Sequence, residues 1–202
     1  MVSVPFISQC RIGVVWRPTL SIELDLLMGI HSVSSPVLDQ VMLGITYAST
    51  RAALWLVMSA LMMCTRRYRK AGMAIIVAVA VAYVVGDVIL KPLIARDRPC
   101  DLADFTLLVP IPETYSFPSG HTMSSFAAAT ALLMFHRREG CIAMVFAALV
   151  GLSRLYLFVH WPTDVLAGAF LGIAVAYLVV KFMERWIPSF RDMGGGNDPE
   201  SV

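Results

Sequence analysis

The feature that most constrains this chain is a run of apolar residues from Ala71 to Leu90 whose only charged member is Asp87. A helix needs about 20 mostly apolar residues to cross the hydrocarbon core of a bilayer. A second run, from Val165 to Val180, contains no charged residue. Because backbone N–H and C=O groups inside a bilayer must be paired within the protein, these segments are predicted to be helices rather than isolated strands.

The composition supports the same class of protein. Hydrophobic residues make up 58% of the chain and charged residues 15%, whereas about a quarter of the residues are charged in a typical soluble domain. The net charge of +2 is too small to suggest a nucleic-acid partner. The four cysteines are scattered, so neither a disulfide framework nor a cysteine metal site is expected. We therefore predict an all-α, polytopic transmembrane helical bundle.

Five segments are predicted to be membrane spans. Most of them are long and apolar, and one is shorter but has small side chains that suit packing inside a bundle. They are Arg51–Cys64 with an extension back toward Val41, Ala71–Leu90, Ser119–Phe135, Cys141–His160 and Trp161–Met183. Residues 22–33 mix apolar residues with charges, and we interpret them as an interfacial amphipathic helix. A sixth, kinked span through this region is the alternative.

The chain is predicted to consist of three parts. Residues 1–49 form an N-terminal segment that is interfacial or partly embedded in the membrane, and residues 50–187 form the transmembrane domain. Residues 188–202 form a C-terminal tail that is expected to be disordered, because the stretch from Gly194 has almost no apolar side chains to bury.

The distribution of positive charge predicts the orientation in the membrane. Basic residues lie at 66–70, 136–138 and 181–185. With five spans, these three positions fall on one side, which is expected to be the cytoplasm. The long segment from Arg96 to Pro118 and the turn at residues 160–162 then face outward together, so they can share a site.

The outward face holds charged and polar residues whose insertion into a membrane costs free energy. A charged side chain at the bilayer centre costs about 2.5–3.5 kcal/mol on insertion scales, so such residues usually face a cavity and have a function. Three cations among them, Lys91, Arg98 and Arg154, can surround an anion. Ser119 and Gly120 fall at a predicted helix start, where free backbone N–H groups favour phosphate. This combination predicts a phosphate-binding pocket.

Two histidines complete the set. His160 precedes Asp164 by four residues, so the carboxylate can fix one ring nitrogen and leave the other free to attack phosphorus. His121 comes from a different predicted helix start and is suited to protonate the leaving oxygen. The three cations can stabilise the charge of the transferring phosphoryl group. No metal and no other cofactor is expected.

These residues occur in three motifs: Lys91-x6-Arg98-Pro99, Pro118-Ser119-Gly120-His121, and Ser153-Arg154-x5-His160-x3-Asp164. In order and spacing, they resemble the tripartite signature of the type 2 phosphatidic acid phosphatase superfamily. The resemblance implies that His160 is the phosphorylated nucleophile, Asp164 its orienting residue and His121 the acid. It further implies that phosphate is bound by Lys91, Arg98, Ser119, Gly120 and Arg154. The implied fold is a helical bundle with its pocket at the outer membrane surface.

The resemblance implies a lipid phosphatase that acts on a lipid phosphate or diphosphate, and undecaprenyl diphosphate is our preferred substrate. Phosphatidylglycerophosphate and phosphatidic acid are alternatives. A non-enzymatic lipid transporter or scaffold with a degenerate site is the alternative from another class. The expected location is the cytoplasmic membrane of a bacterium, in multi-pass form, with the active site on the extracytoplasmic side.

For residues near these motifs, the sequence indicates a role less specifically. Asp87 precedes Lys91 by four residues and is interpreted as its neutralising partner. Arg96 is expected to be a solvated loop charge, with assistance to a second phosphate as the alternative. Tyr156 and Trp161 are expected in an aromatic belt or along the path of the lipid.

Overall fold

The structure, a computed structural model, describes residues 18–102, 107–110 and 112–193. Within these residues the regular secondary structure is helical and no strand is formed. The first helices are α1 (Pro18–His31), α2 (Pro36–Ala48), α3 (Ala53–Met63), α4 (Arg69–Tyr83), α5 (Lys91–Ile94) and α6 (Pro99–Leu102). They are followed by α7 (Gly120–Phe135), α8 (Arg137–Tyr156), α9 (Pro162–Trp186) and α10 (Pro188–Asp192). A π-helical segment, Val84–Leu90, connects α4 to α5.

Helix α7 forms the centre of the bundle, where it packs against α4, α8 and α9. Its buried face is rich in alanine, which allows neighbouring backbones to approach closely. On α9, a Cβ atom added at Gly168 would lie 2.8 Å from the carbonyl oxygen of Ser119, and one at Gly172 would lie 2.4 Å from that of Met123. These glycines therefore set the close approach of α7 and α9, the two helices whose N-terminal ends carry the site.

Three of the described helical segments are long and apolar enough to cross a membrane: Arg69–Asp101, Arg137–Tyr156 and Pro162–Trp186. The segments Pro36–Ala48 and Thr50–Met63, bent by 48° relative to each other, form a fourth candidate. Helix α7 has 16 residues and is shorter than a typical span. The predicted all-α polytopic bundle is confirmed, whereas the count of five spans stays a prediction.

The first predicted span is not one continuous helix. Helix α2 ends at Ala48, and Arg51 and Ala52 have φ values of 50° and 55°. The side chains upstream of this break compete with the helical backbone, since Ser49 Oγ donates to the carbonyl oxygens of Ile45 (3.1 Å) and Thr46 (3.0 Å). The backward extension of the predicted span toward Val41 is therefore a separate helix, and the span over this region stays a prediction.

The segments at the two ends of the described chain are also helical. Residues 22–31 of the predicted amphipathic segment lie in α1, and α2 begins after Ser35, whose Oγ accepts a hydrogen bond from the Leu38 N–H at 3.3 Å. At the other end, the predicted tail begins with a short helix, and the division of the chain into three parts stays a prediction. Pro188–Asp192 is helical, and Phe190 is buried with its ring centroid 6.0 Å from that of Phe135. Residues 194–202, the rest of the predicted tail, lie outside the described residues.

Candidate active site

The site lies where the N-terminal ends of α7 and α9 meet the C-terminal end of α8 and the segment that follows α5. The structure buries the charged residues that the sequence motifs had singled out. Lys91, Arg98, Arg154, His160 and Asp164 are each at most 7% exposed. Because burying charged groups is costly unless they are paired or have a function, the partners of each group are informative.

The imidazole of His160 is oriented by contacts on its Nδ1 side. Nδ1 lies 3.7 Å from Oδ2 of Asp164, and the Ser116 hydroxyl contacts both groups: it lies 3.4 Å from Nδ1 and donates a hydrogen bond to Oδ2. The Trp161 backbone N–H donates to the same carboxylate oxygen at 2.9 Å. The other ring nitrogen, Nε2, lies 3.3 Å from NH1 of Arg98. The structure thus brings His160 and Asp164 together and leaves Nε2 facing a cation.

His160 lies in the short connection between α8 and α9. Burial is the main reason that the pKa of its imidazole is lowered from the ordinary value to about 3; the charges of Arg98 and Arg154 act in the same direction, and the Asp164 carboxylate opposes them. A neutral imidazole at physiological pH keeps a lone pair on one nitrogen, as a nucleophile requires.

The guanidinium of Arg98 is held in place by uncharged acceptors. It donates to the backbone carbonyl oxygens of Thr114 (2.8 Å), Tyr115 (3.1 Å) and Val159 (2.6 Å) and to the Thr114 hydroxyl (3.2 Å). No ion pair within the described part of the chain includes Arg98. Its position is therefore fixed while its charge stays available to an anion.

Among the cations of the site, the surroundings of Arg154 give the clearest indication of a bound anion. It is 5% exposed, and NH1 donates to the Thr46 hydroxyl of α2. Its Nε atom is buried and has no hydrogen-bond partner among the described residues, which also provide no ion pair to this guanidinium. A buried cation without a counter-ion is destabilising by several kcal/mol, so this arrangement indicates a place for an anionic ligand.

Lys91 differs from the two arginines because it has a carboxylate partner. Its Nζ atom lies 2.5 Å from Oδ1 of Asp87, which stands in the π-helical segment, and 3.4 Å from the Thr114 hydroxyl. The predicted pairing of Asp87 with Lys91 is confirmed. Single π-helical turns inside α-helices are frequent at functional sites.

The Pro-Ser-Gly-His motif forms the start of α7. Ser119 precedes the first helical residue and donates its backbone N–H to the carbonyl oxygen of Asp164 at 3.1 Å. A Cβ atom at Gly120 would lie 2.8 Å from Oδ2 of Asp87, so a larger residue does not fit without a shift of that carboxylate. His121 follows on the first turn and interacts electrostatically with His160 and with the three predicted phosphate-binding cations. All eight predicted site residues are therefore in one region.

Three expectations about neighbouring residues are wrong. Arg96 is not a solvated loop charge, because it forms ion pairs with Glu23 at 2.6 Å and Asp164 at 2.7 Å. Tyr156 and Trp161 are each 2% exposed and therefore do not belong to an aromatic belt, whereas the alternative that they line the path of the lipid stays a prediction. Tyr156 donates to Asp39 at 2.5 Å, and the Trp161 indole N–H donates to the carbonyl oxygen of Asp97 at 2.9 Å. Their polar groups are used for hydrogen bonds inside the protein.

Four residues of the site were missed by the sequence reasoning. Ser116 and Thr114 stand two and four residues before the Pro-Ser-Gly-His motif, and their proximity to it was the available signal. Thr46 and Glu23 come from α2 and α1, far from the motifs in sequence. Only the packing of these helices against the rest of the bundle brings the last two into the site.

Fold and site together define a class: a multi-pass helical membrane protein with a neutral imidazole beside buried arginines to which the described residues provide no counter-ion. Residues 71–188 match the PAP2 superfamily, so the chain belongs to that superfamily. The predicted family is thereby confirmed.

Curated relatives include an undecaprenyl-diphosphatase of Sulfolobus acidocaldarius, 38% identical over 133 residues, which are 65% of this chain and 64% of that protein. The undecaprenyl-diphosphatase BcrC of Bacillus subtilis is 29% identical over 81% of this chain and 86% of its own length. Among solved structures, the transmembrane PAP2 type phosphatidylglycerolphosphate phosphatase of Bacillus subtilis superposes with a TM-score of 0.68 and 31% identity, over 83% of this chain and 87% of that chain. These relatives support the predicted class of membrane lipid phosphatase.

Proposed function

We propose that this protein hydrolyses a lipid phosphate or diphosphate through a phosphohistidine intermediate on His160, and that its substrate is undecaprenyl diphosphate. The observation that carries the proposal is the buried Arg154 guanidinium, whose Nε atom has no partner within the described residues. A phosphate oxygen is a suitable acceptor for that N–H group. The names of the two undecaprenyl-diphosphatase relatives support the choice of substrate.

In the first step, Nε2 of His160 attacks the terminal phosphorus while the bond from phosphorus to the leaving oxygen breaks. Asp164 and Ser116, which contact the Nδ1 side of the ring, stabilise the imidazolium that forms. His121 donates a proton to the leaving oxygen, so that undecaprenyl phosphate leaves with that oxygen protonated. The product of this step is a phosphohistidine and one lipid phosphate.

In the second step, a water molecule attacks the phosphohistidine. His121, now neutral, accepts a proton from the water, the nitrogen–phosphorus bond breaks, and inorganic phosphate is released. Throughout both steps the charges on the phosphoryl oxygens are stabilised by Lys91, Arg98 and Arg154, together with backbone N–H groups at Ser119–Gly120. These protein cations take the role that a metal has in other phosphatases, and no metal or other cofactor is part of the proposal.

We place the protein in the cytoplasmic membrane of a bacterium, with the site on the extracytoplasmic side. The support is the distribution of basic residues: the segments at 66–70 and 136–138 lie at the ends of α4 and α8 that are opposite to the site. The positive-inside rule assigns such short basic segments to the cytoplasm.

A panel of lipids tests the proposal. Purified full-length protein in detergent is offered undecaprenyl diphosphate, phosphatidylglycerophosphate or phosphatidic acid at equal surface concentration, and release of inorganic phosphate is measured. We expect the highest kcat/KM with undecaprenyl diphosphate. If phosphatidylglycerophosphate were clearly preferred, the substrate assignment would be wrong but the mechanism would stand. If no lipid released phosphate, the transporter or scaffold alternative would be favoured.

A further inference from the structure

Arg96 occupies a position between two carboxylates from distant parts of the chain. Its NH1 atom lies 2.7 Å from Oδ1 of Asp164, and its NH2 atom lies 2.6 Å from Oε2 of Glu23. The guanidinium carbon also lies 5.4 Å from the centroid of the Trp161 ring. A guanidinium with carboxylates on two sides and an aromatic ring on a third is strongly fixed in orientation.

The two oxygens of the Asp164 carboxylate have different partners. Oδ2 accepts hydrogen bonds from the Ser116 hydroxyl and the Trp161 backbone N–H, and it is the oxygen that faces His160. Oδ1 accepts from Arg96. Because Asp164 is fully buried, loss of the Arg96 donor would leave Oδ1 unsatisfied, and the carboxylate would be held through Oδ2 alone.

Glu23 joins α1 to the same network. While Oε2 pairs with Arg96, Oε1 accepts hydrogen bonds from the Thr163 backbone N–H at 3.1 Å and from the Thr163 hydroxyl at 2.6 Å. Thr163 lies in the first turn of α9, one residue before Asp164. Glu23 therefore fixes Arg96 and the start of α9 together. It also neutralises the second half of the guanidinium, so that Arg96 is not a free cation for phosphate.

We propose that Arg96, held by Glu23, is a positioning residue that fixes the Asp164 carboxylate against the His160 imidazole, which makes α1 part of the catalytic apparatus. The inference rests on the proposed function, in which Asp164 orients the nucleophile. It replaces the sequence-based alternative that Arg96 binds a second phosphate, because both ends of its guanidinium are occupied by carboxylates.

The charges around His160 give the proposal a signature that a purely structural role would lack. The groups that face this imidazole are Arg98, Arg154, His121 and Asp164. Removal of the Arg96 cation makes the surroundings of the ring more negative, so the imidazole stays protonated to higher pH. Neutralisation of the Glu23 carboxylate has the opposite effect. The acid limb of the kcat/KM profile should therefore move in opposite directions in the two variants.

The experiment uses full-length protein in detergent with undecaprenyl diphosphate as the probe. In Arg96→Met we expect kcat to fall by about 100-fold, the loss typical of a small displacement at a reacting centre, with KM within about threefold and the acid limb at higher pH. Arg96→Lys should recover much of the activity, because it restores a cation beside Asp164. In Glu23→Gln we expect a smaller loss of kcat and an acid limb at lower pH.

Lys181→Met is the matched control, since Lys181 forms an exposed ion pair with Glu184 at 3.2 Å at the other end of α9; it should behave as the wild type. A rise in KM at unchanged kcat in Arg96→Met would instead assign Arg96 to substrate binding and overturn the proposal. So would kinetics and a pH profile identical to those of the control. If Arg96→Met does not fold, the isosteric Glu23→Gln decides through its pH profile, and an unshifted acid limb counts against the proposal.

One further variant separates this inference from the proposed function. His160→Ala should be inactive if the mechanism is right. An active His160→Ala would refute the phosphohistidine mechanism itself, whereas an inactive His160→Ala beside an unaffected Arg96→Met would refute only the positioning role.

Discussion

Nε2 of His160 lies 3.3 Å from the guanidinium of Arg98, while Nδ1 of the same ring faces Asp164. The nitrogen to which we assign the attack on phosphorus is therefore adjacent to a cation to which we assign phosphate binding. Arg98 is held in this position by backbone carbonyl oxygens of two separate segments, the one that contains Thr114 and the one that contains Val159. If His160 and Arg98 have the proposed roles, this fixed arrangement reduces the reorganisation required during reaction.

The first expectation concerns the nucleophile. His160→Ala should reduce kcat by at least about 10³-fold, because loss of a catalytic nucleophile or base leaves only the contribution of the binding groups. The measurement is phosphate release from undecaprenyl diphosphate, with trapping of an acid-labile phosphoenzyme in the wild type. His136→Ala is the matched control, since His136 packs on Tyr68 with a centroid distance of 4.4 Å at the far end of the bundle. Equal loss in both variants would show that the effect is not specific to the site.

The second expectation concerns Arg154, a buried cation to which the described residues provide no counter-ion. Replacing a buried charged group by an apolar residue of similar size can be neutral or stabilising by about 1–4 kcal/mol. We therefore expect Arg154→Met to lose activity while the free protein melts at an equal or higher temperature than the wild type. Orthovanadate or inorganic phosphate should raise the Tm of the wild type and have little effect on the variant.

Thermal unfolding in detergent, with and without the oxyanion, measures both effects. Lys181→Met again serves as the control and should respond to the oxyanion as the wild type does. An oxyanion-induced rise in Tm that survives in Arg154→Met would mean that Arg154 is not part of the anion site.

The third expectation is a pH dependence of stability. The pKa of His160 is lowered to about 3 in the folded protein by burial, whereas an unfolded histidine has a pKa of about 6.5. Between these values the unfolded state binds a proton that the folded state does not, so stability falls as pH decreases through this range. Above about pH 6.5 the contribution of this group is complete.

The measurement is Tm between pH 8 and pH 4 for wild type and His160→Gln. We expect the variant to lose less stability on acidification, because glutamine does not titrate in this range. Parallel curves would indicate that the imidazole is protonated in the folded protein as readily as in the unfolded one.

Much of the site was predictable because its residues lie in three short motifs with fixed spacing. The pairing of His160 with Asp164 follows from the start of a helix between them, and the pairing of Asp87 with Lys91 follows from their separation of four residues. In both cases the contact is local in sequence. Helical periodicity then determines which side chains meet.

The features that were not predicted either join residues far apart in the sequence or arise where side-chain hydroxyl groups bond to backbone carbonyl oxygens. The sequence around Arg96 does not indicate its partners, because Glu23 and Asp164 are 73 and 68 residues away. The break at Arg51 and Ala52 was missed because hydropathy measures apolarity and carries no information about hydroxyl groups that compete for backbone carbonyl oxygens. The hydrogen bond from the buried Trp161 indole to Asp97 joins residues that are 64 positions apart, and no sequence pattern specifies it.

The fourth expectation concerns orientation in the membrane. Cys64 is exposed after α3, next to the basic segment at 66–70, and should lie on the cytoplasmic side. Glu113 is exposed in the segment that precedes the site and should lie on the opposite side. In intact cells, a membrane-impermeant maleimide should therefore label Glu113→Cys in a background with its native cysteines replaced, and it should leave a protein that retains only Cys64 unlabelled. After permeabilisation both should react, because both positions are exposed to solvent.

Labelling of Cys64 alone in intact cells would place the site in the cytoplasm. The substrate would then have to be a lipid phosphate available at the inner leaflet, and the positive-inside assignment for this chain would have to be reversed.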